Sequence, residues 1–446
     1  MTSAPHILLV NPWIHDFAAY DFWAKPLGLL GLAALLRHHG CTVSYIDCLD
    51  RCHPRAPAID PRQRCGRGPY LKTPLPKPAA LADVPRRFSR YGIKPEWLRQ
   101  DLHALPRPDL ILVTSMMTYW YTGVHETIGQ LREIFADVPL FLGGIYATLC
   151  PEHARRTTGA AGVAGGAAEP VLLDLVAEVT GYRPAALFDP QDLDTYPYPA
   201  HDLQHLIGYI PLLTARGCPF ACPYCAAKKL NPRRMARCPE LVVDEICRWH
   251  RDFGVRDFVF YDDALLMQAE HHAAPILEGV IRRGGAKLRF HTPNALHIRW
   301  ITPAIAHLMK RAGFETVRLG LETAAAAHRP AGDRKVTAGE FERAAGCLKK
   351  AGFQKRQVGA YLLAGLPGQS VEEIAASIQI VRENGVTPIL AHYSPIPHTD
   401  LWPAAVAASR YDLAADPIFT NNAVLPCRKE PFSWATITRL KKLAAA

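Results

Sequence analysis

The residues with the most specific chemistry in this chain are three closely spaced cysteines, Cys218, Cys222 and Cys225. They stand at i, i+4 and i+7 in the segment 215–225, and two prolines interrupt their spacing. Because proline removes a backbone donor and breaks a regular helix, we expect a loop whose three sulfurs face one inorganic centre. Structural zinc sites and ordinary ferredoxin clusters take four protein ligands, so a triplet leaves one coordination position for a substrate or cofactor.

Two other interpretations of the triplet stay open. A zinc site needs a fourth ligand, for which Cys238 or a nearby histidine such as His250 is available. Alternatively, the three thiols are unrelated to one another. The elements around the triplet have to decide among these interpretations.

The triplet lies at the start of a series of β/α units. Strand-like segments separated by helix-length stretches stand at 210–215, 257–261, 288–292, 316–320, 357–363 and 389–393. Six such units predict an open, partial (β/α)6 barrel of TIM type, with its chemistry at the carboxyl ends of the strands. The cysteines directly follow the first strand, where such a barrel places its active site.

An earlier β/α series covers residues 6–182. Its predicted strands are 7–10, 43–46, 110–114, 139–142 and 162–165, and its predicted helices are 26–37, 125–135 and 169–179. This alternation predicts a Rossmann-like, doubly wound parallel sheet with a ligand at the carboxyl ends of its strands. Residues 51–100, rich in proline, glycine and arginine, interrupt it as an insertion.

The chain of 446 residues is long enough for two domains, each with its own core. We place the Rossmann-like domain at 1–190, a linker at 191–207 and the barrel at 208–402. Residues 403–446 form a C-terminal extension, irregular except for a terminal helix at 434–443.

Composition indicates a globular protein, because 49% of the residues are hydrophobic and 21% are charged. We find no apolar stretch of the length of a membrane span, and the twelve cysteines are too sparse and irregular for a disulfide framework. The first residues lead directly into a strand-like segment, with no sign of a signal peptide. We therefore expect a cytoplasmic protein with no membrane partner.

The net charge of +10 is concentrated in the insertion, where residues 51–100 hold twelve basic and three acidic side chains. We therefore do not expect a nucleic-acid partner; the insertion binds an anionic substrate, a phosphate or a reductase, or is a solvated face. It also contains Cys52, His53 and Cys65, which with Cys48 are candidates for a second metal site.

The pattern Cys-x3-Cys-x-aromatic-Cys, preceded by Arg-Gly, resembles the signature of the radical SAM superfamily. The resemblance implies that Cys218, Cys222 and Cys225 bind a [4Fe-4S] cluster whose fourth iron is chelated by S-adenosylmethionine (SAM). It also implies an electron donor such as flavodoxin or ferredoxin, and reductive cleavage of SAM to a 5'-deoxyadenosyl radical. Tyr224 resembles the aromatic residue that lies against the SAM adenine, although it could simply pack the loop.

Motifs at later strand ends, within residues 208–402, resemble the Elp3-, MiaB- and NifB-like branch of this superfamily. The resemblance implies that SAM is contacted by side chains or backbone of Asp262, Asp263, Asn294, Glu322, Gly365 and Leu366. A carboxylate suits an ammonium group or a ribose diol. Alternatives are a solvated turn for the two aspartates and a structural ion pair for Glu322. Two departures are the absence of Gly-Gly-Glu and the presence of Gln369 where the branch usually has glutamate.

Segments 25–29, 142–148 and 151–153 resemble the cobalamin-binding domains that precede radical SAM barrels. The positions of the strand ends then predict corrin contacts at Ser115, Gly143, Gly144, Gly165 and Gly166. The motif Asp-x-His-x-x-Gly, which supplies a cobalt ligand in that family, occurs nowhere in the chain. Either cobalamin binds without a protein ligand to cobalt, or it has been lost and the domain is structural.

The sequence thus predicts a radical SAM enzyme that performs cobalamin-dependent methylation, or another modification, of an unactivated carbon. The substrate is a small molecule or peptide whose identity the sequence does not reveal, and rearrangement or oxidative ring chemistry is the second reaction type. A tRNA-modifying methylthiotransferase is an alternative, but its N-terminal cluster cysteines and C-terminal RNA-binding barrel are not evident. A corrin- or zinc-binding sensor is the non-enzymatic alternative.

Overall fold

The computed structural model describes residues 4–285, 287–324, 336, 339–428 and 434–445. The chain forms two compact units: unit 1 is Met1–Gly208 with Ala414–Thr420, and unit 2 is Tyr209–Leu413 with Asn421–Ala446. Both contain parallel β-sheets and helices, which confirms the predicted α/β fold class. Among the described residues, none of the helices combines the length and apolar content needed to span a membrane.

Unit 1 contains eight strands and six α-helices in its described part. In chain order they are β1 (His6–Asn11), β2 (Ile14–Asp16), α1 (Leu27–His38), β3 (Thr42–Asp47), β4 (Lys72–Pro74), β5 (Ser89–Tyr91), α2 (Pro95–Ala104), β6 (Leu110–Val113), α3 (Tyr121–Ile134), β7 (Leu140–Leu142), α4 (Ile145–Leu149), α5 (Pro151–Thr157), β8 (Gly162–Val163) and α6 (Glu169–Thr180).

Five of these strands form a parallel sheet in the order β3-β1-β6-β7-β8. Strand β1 is completely buried from Ile7 to Val10, as expected for a parallel strand covered on both faces. The strand order reverses between β1 and β6, and the carboxyl ends near such a reversal are the usual ligand position in a doubly wound sheet. The predicted Rossmann-like sheet is therefore present.

Two strands of the basic insertion, β4 and β5, join β2 in a small antiparallel sheet of order β2-β5-β4, and α2 follows. Periodicity could not predict these strands because each has only three residues. Several of its cations are paired within unit 1: Arg90 Nε donates to Glu126 at 2.9 Å, and Arg51 lies 3.5 Å from Asp21. Part of the excess positive charge is thus neutralised locally.

Unit 2 contains eight strands and eight α-helices in its described part. In chain order they are β9 (Ile210–Leu212), β10 (Ala215–Arg216), α7 (Ala227–Leu230), β11 (Met235–Ala236), α8 (Pro239–Phe253), β12 (Asp257–Phe260), α9 (Ala273–Arg282), β13 (Arg289–His291), α10 (Pro303–Ala312), β14 (Phe314–Glu322), α11 (Glu340–Lys350), β15 (Val358–Ala364), α12 (Val371–Glu383), β16 (Thr387–His392), α13 (Trp402–Ala408) and α14 (Trp434–Ala445).

Six strands of unit 2 pair in parallel in chain order, β9-β12-β13-β14-β15-β16, and α8 to α12 connect them in turn. This is the predicted partial barrel. Its core includes Phe258, Phe260, Phe290 and Phe314, whose neighbouring rings lie 5.6–6.0 Å apart. Because all six strands run the same way, their carboxyl ends lie at one edge, where the predicted site residues follow them.

Two details of the prediction for this unit were wrong. The first strand does not continue to residue 215: β9 ends at Leu212, and the amides of Thr214 and Ala215 bond to the Asp262 carboxylate instead of a neighbouring strand. The region predicted as irregular also contains α13, a short alanine-rich helix. Pro403 lies in its first turn, where proline is tolerated.

Candidate active site

The three cysteines lie in the loop between β10 and β11. These two strands pair antiparallel and close the base of the loop. Cys218 and Cys222 are half-buried and Cys225 is exposed, so none of the three cysteines is enclosed in the core. The amide of Cys225 donates to the Cys222 carbonyl at 3.0 Å, and the amide of Ala227 donates to Cys225 Sγ at 3.4 Å.

Gly217, immediately before the first cysteine, allows the two ends of this loop to pack together. Its φ is +86°, and a Cβ at this position would lie 2.6 Å from the carbonyl oxygen of Arg233. Only glycine adopts this backbone conformation without a steric penalty. The Arg-Gly that precedes the triplet therefore has a local structural reason.

Asp262, at the end of β12, holds the segment that leads into the loop. Its carboxylate accepts the hydroxyl of Thr214 at 2.5 Å, the amide of Thr214 at 3.3 Å and the amide of Ala215 at 2.7 Å. The Thr214 hydroxyl also lies 2.9 Å from His272 Nε2. Burial raises the pKa of Asp262 to about 6, although the three donors act in the opposite direction.

Asp263 holds the loop itself. Its Oδ2 accepts the amide of Gly217 at 3.0 Å and the side-chain amide of Asn231 at 3.3 Å. Burial raises the pKa of Asp263 as well. Both predicted SAM-binding aspartates are thus engaged by the cysteine loop on its two sides, and this positioning role was not foreseen from the sequence.

Asn294, after β13, connects neighbouring strand ends. Its side-chain amide donates to the carbonyl of Tyr261 at 2.7 Å. The hydroxyl of Tyr361 on β15 donates to the carbonyl of Pro293 at 2.9 Å. The structure therefore places Asn294 beside the acidic strand end.

Glu322 is the last residue of β14 and has an unusual backbone. Its φ is +65°, which costs about 1–3 kcal/mol for a residue other than glycine. The pairing of β14 with β15 shifts register at this point, and only 9% of Glu322 is exposed. Strain of this kind concentrates at functional positions, which fits the predicted role of this carboxylate.

The turn after β15 contains Gly365 and Leu366 and is closed by Gln369. The Gln369 Oε1 accepts the amides of Gly365 at 2.8 Å and Leu366 at 3.2 Å, while its Nε2 donates to the Leu363 carbonyl at 3.0 Å. A glutamate could accept the two amides but could not donate to the carbonyl at neutral pH. Glutamine in place of the glutamate usual in this branch therefore satisfies one more backbone group of this turn.

A cavity of about 390 Å³ adjoins the same turn. Gly365, Gln369, Leu425, Arg428 and Leu440 are among the residues that line it. Gly365 has a φ of +93°, and a Cβ there would lie 2.8 Å from Leu425. The backbone predicted to contact SAM thus borders a cavity. Position 365 has to be glycine because a side chain there would collide with Leu425.

In unit 1, the structure brings the five predicted corrin contacts to neighbouring strand ends. Gly144 has a φ of +92°, and a Cβ there would lie 2.3 Å from the Ser115 carbonyl oxygen. The Ser115 hydroxyl is buried and donates to the Gly143 carbonyl at 2.6 Å. Gly165 and Gly166 are exposed.

Thr148, which was not among the predicted contacts, links these glycine segments. Its hydroxyl donates to the Gly144 carbonyl at 2.7 Å and accepts the amide of Gly166 at 2.9 Å. A threonine on a short helix after a glycine pair gives no sequence signal for such a bridge. The result is a surface formed largely by backbone.

The second metal site remains without support. Within the described residues, Cys48, Cys52, His53 and Cys65 do not form a set of ligand atoms within 4.8 Å of one another. Cys48 is fully buried, and burial raises its pKa. His53 instead bonds Asp101 at 2.8 Å through Nε2.

Comparisons with known proteins agree with this geometry. The model of the radical SAM superfamily matches residues 212–381, which include the three cysteines and the Gln369 turn. The uncharacterized methyltransferase PH0819 of Pyrococcus horikoshii is 23% identical over 333 residues, which cover 67% of this chain and 70% of that protein.

Two solved structures share the fold of most of the chain. The radical SAM methyltransferase TsrM from Kitasatospora setae, with cobalamin and a [4Fe-4S] cluster bound, has a TM-score of 0.66 and 19% identity, covering 91% of this chain and 75% of its own. The apo form of the cobalamin-dependent SAM radical enzyme OxsB has a TM-score of 0.60 and 13% identity, covering 94% of this chain and 57% of its own. At these identities the likeness concerns the fold.

A parallel partial barrel with a three-cysteine loop after its first strand defines the class of this protein as a radical SAM enzyme. Residues 212–381 match the model of the radical SAM superfamily. The predicted family and enzyme class are confirmed. The predicted [4Fe-4S] cluster and SAM are confirmed as cofactors of that family.

Replacing Asp262 by asparagine should change how stability depends on pH. Between the ordinary aspartate pKa of 3.8 and about 6, folded Asp262 holds a proton that the unfolded chain has lost. Its contribution therefore favours folding at low pH and is lost as pH rises through about 6. The thermal midpoint of the wild type should fall relative to that of Asp262→Asn between about pH 4 and about pH 6 and run parallel above that.

Asp174→Asn, at an exposed position of α6, is the matched control for this measurement. Circular dichroism at a series of pH values gives the midpoints. A difference between the wild type and Asp262→Asn that does not vary with pH would contradict the assignment.

Replacing Gln369 by glutamate should weaken the turn after β15. The carboxylate loses the bond to Leu363 and faces that carbonyl oxygen, so we expect about 1–3 kcal/mol less free energy of unfolding in urea denaturation. Gln379→Glu, on the exposed face of α12, is the control: it loses only an exposed bond to Glu383 and should change this value by less than about 0.5 kcal/mol. Equal effects of the two substitutions would show that the three bonds of Gln369 do not matter.

Proposed function

We propose that this protein is a cobalamin-dependent radical SAM methyltransferase that acts on an unactivated carbon of a small-molecule or peptide substrate. The observation that carries the proposal is the pairing of two kinds of site in one chain. Unit 2 presents a three-cysteine loop at the carboxyl edge of a parallel barrel, and unit 1 presents a glycine-lined edge of a doubly wound sheet.

The cysteine loop fits a [4Fe-4S] cluster. It offers three cysteines outside the core, a backbone amide that already donates to one sulfur, and a base closed by the pairing of β10 with β11. When bound, the cluster supplies the electron that cleaves SAM, and a reductant supplies that electron to the cluster. The chain's own contribution is to hold the loop through Asp262 and Asp263 and to leave one coordination position open.

The strand ends next to the loop would bind SAM. Tyr224 lies within the cysteine segment, and Asn294 and Glu322 follow β13 and end β14, so they share the carboxyl edge with the loop. Gly365 and Leu366 border a cavity of about 390 Å³ at the end of β15. We assign the adenine to this turn and the charged groups of SAM to Glu322 and the acidic strand end.

The two extra zinc ligands suggested by the sequence, Cys238 and His250, are engaged elsewhere. His250 lies in the last turn of α8, roughly 18 Å along the helix axis from Cys238, and its Nδ1 bonds the carbonyl of Val255 at 2.7 Å. The Cys238 thiol donates to Glu240 at 3.1 Å. Neither arrangement directs a fourth ligand toward the triplet.

Cobalamin fits the edge of unit 1 because glycines leave the backbone open there. A Cβ on Gly166 would meet no atom within 4 Å, and a Cβ on Gly165 would meet none closer than 3.6 Å. The nearby His153 bonds the Tyr146 hydroxyl at 2.6 Å through Nδ1. When bound, cobalamin would carry the methyl group, and this chain would hold the corrin by backbone contact without a histidine ligand to cobalt.

Replacing Cys222 by serine should abolish SAM cleavage. After anaerobic reconstitution with iron and sulfide, the wild type should show cluster absorbance and, with SAM and dithionite, form 5'-deoxyadenosine or S-adenosylhomocysteine. Cys222→Ser should lose both properties because one of the three cluster ligands is missing. Cys247→Ser, a half-buried cysteine of α8, should keep both. A wild type that holds an intact cluster but yields neither product would refute the enzyme assignment.

Added hydroxocobalamin should bind with a corrin absorption band that survives gel filtration. After reduction to the cob(II)alamin form, EPR spectra should be identical for protein grown with ¹⁴N- and ¹⁵N-histidine, because no histidine ligates cobalt. Replacing Gly166, whose φ is +81°, by valine should strain the backbone and weaken binding at least tenfold. Gly159→Val, also at a positive φ but away from the predicted contacts, is the control. Histidine splitting or the absence of corrin binding would contradict this part of the proposal.

A further inference from the structure

A histidine on a separate segment of the barrel lies against the first cysteine of the triplet. His297 Nε2 is 3.6 Å from Cys218 Sγ, within hydrogen-bond distance for sulfur. The two residues are 79 positions apart in the chain. His297 is only 4% exposed, so water does not compete strongly for the contact.

The His297 ring is fixed by aromatic packing on two sides. The ring of Phe220, from the cysteine loop, lies 4.7 Å away, and the ring of Trp300 lies 4.9 Å away, both in edge-on geometry. The amide of Trp300 also donates to the His297 carbonyl at 3.2 Å. These contacts tie the orientation of the imidazole to the loop that carries Cys218.

The direction of the contact follows from the chemistry of a ligand sulfur. A cysteine bound to iron has no proton, so in this contact its sulfur is the acceptor and His297 Nε2–H is the donor. A donor to a ligand sulfur stabilises the cluster more when it carries an additional electron. Hydrogen bonds of this kind are among the factors that set the reduction potential of an iron–sulfur cluster.

We propose that His297 is a positioning residue that donates a hydrogen bond to Cys218 Sγ and raises the reduction potential of the cluster. The step affected is the transfer of one electron from the external reductant to the oxidised [4Fe-4S] cluster, with no bond made or broken in the protein. The inference rests on the proposed function, because it presupposes the cluster.

The test compares cluster potentials by EPR-monitored redox titration of reconstituted protein without SAM. His297→Leu removes the donor. At a fixed potential the ratio of reduced to oxidised cluster should fall about fivefold, which lowers the reduction potential by roughly 40 mV at 59 mV per tenfold change of that ratio. His297→Gln keeps an N–H at a similar reach and should stay near the wild-type value. His307→Leu, at an exposed position of α10, is the control.

Iron content and absorbance distinguish the possible failures. If the wild type holds no cluster, the proposed function fails and this inference fails with it. If the wild type holds a cluster and cleaves SAM but His297→Leu keeps the wild-type potential, only the inference is overturned.

A second measurement covers the case in which His297→Leu does not retain a cluster. Pulsed EPR of the reduced wild type grown with ¹⁵N-histidine should show coupling between the cluster and one imidazole nitrogen. That coupling should be absent from His297→Gln. A wild type without the coupling would overturn the inference.

Discussion

The site depends on one buried carboxylate, that of Asp262. It draws the backbone of Thr214 and Ala215 away from the parallel sheet, and for this reason β9 ends at Leu212. The chain is then free to form β10 and its antiparallel partner β11, which close the base of the cysteine loop. Burying this carboxyl is costly, as its raised pKa indicates, but three hydrogen bonds from the segment it holds offset that cost.

Polar side chains fix other strand ends of the barrel in a similar way. Asn294 donates to a carbonyl at the end of β12, and Gln369 closes the turn after β15. Each of these side chains satisfies backbone groups that the sheet leaves without a strand partner at its carboxyl edge. The edge is therefore ordered by the protein itself, which lowers the entropy cost of binding a cofactor there.

The sequence predicted the features that depend on local patterns. The six barrel strands could be recognised because apolar runs alternate with helix-length segments, and the triplet because its spacing is specific. The contacts of Asp262 with Thr214 and of His297 with Cys218 could not, since the partners are 48 and 79 positions apart. The strands of the insertion were also missed, because three residues are too few to establish a period.

Departures from a family pattern are best judged from the atoms involved. Gln369 replaces the glutamate usual in this branch, yet its amide both accepts and donates, and all three of its bonds are within the turn. The absent Asp-x-His-x-x-Gly motif is a second departure, and at the glycine edge of unit 1 a Cβ on Gly165 or Gly166 would meet no atom closer than 3.6 Å. For Gln369 the chain keeps the shape of the turn while it changes the group that supports it.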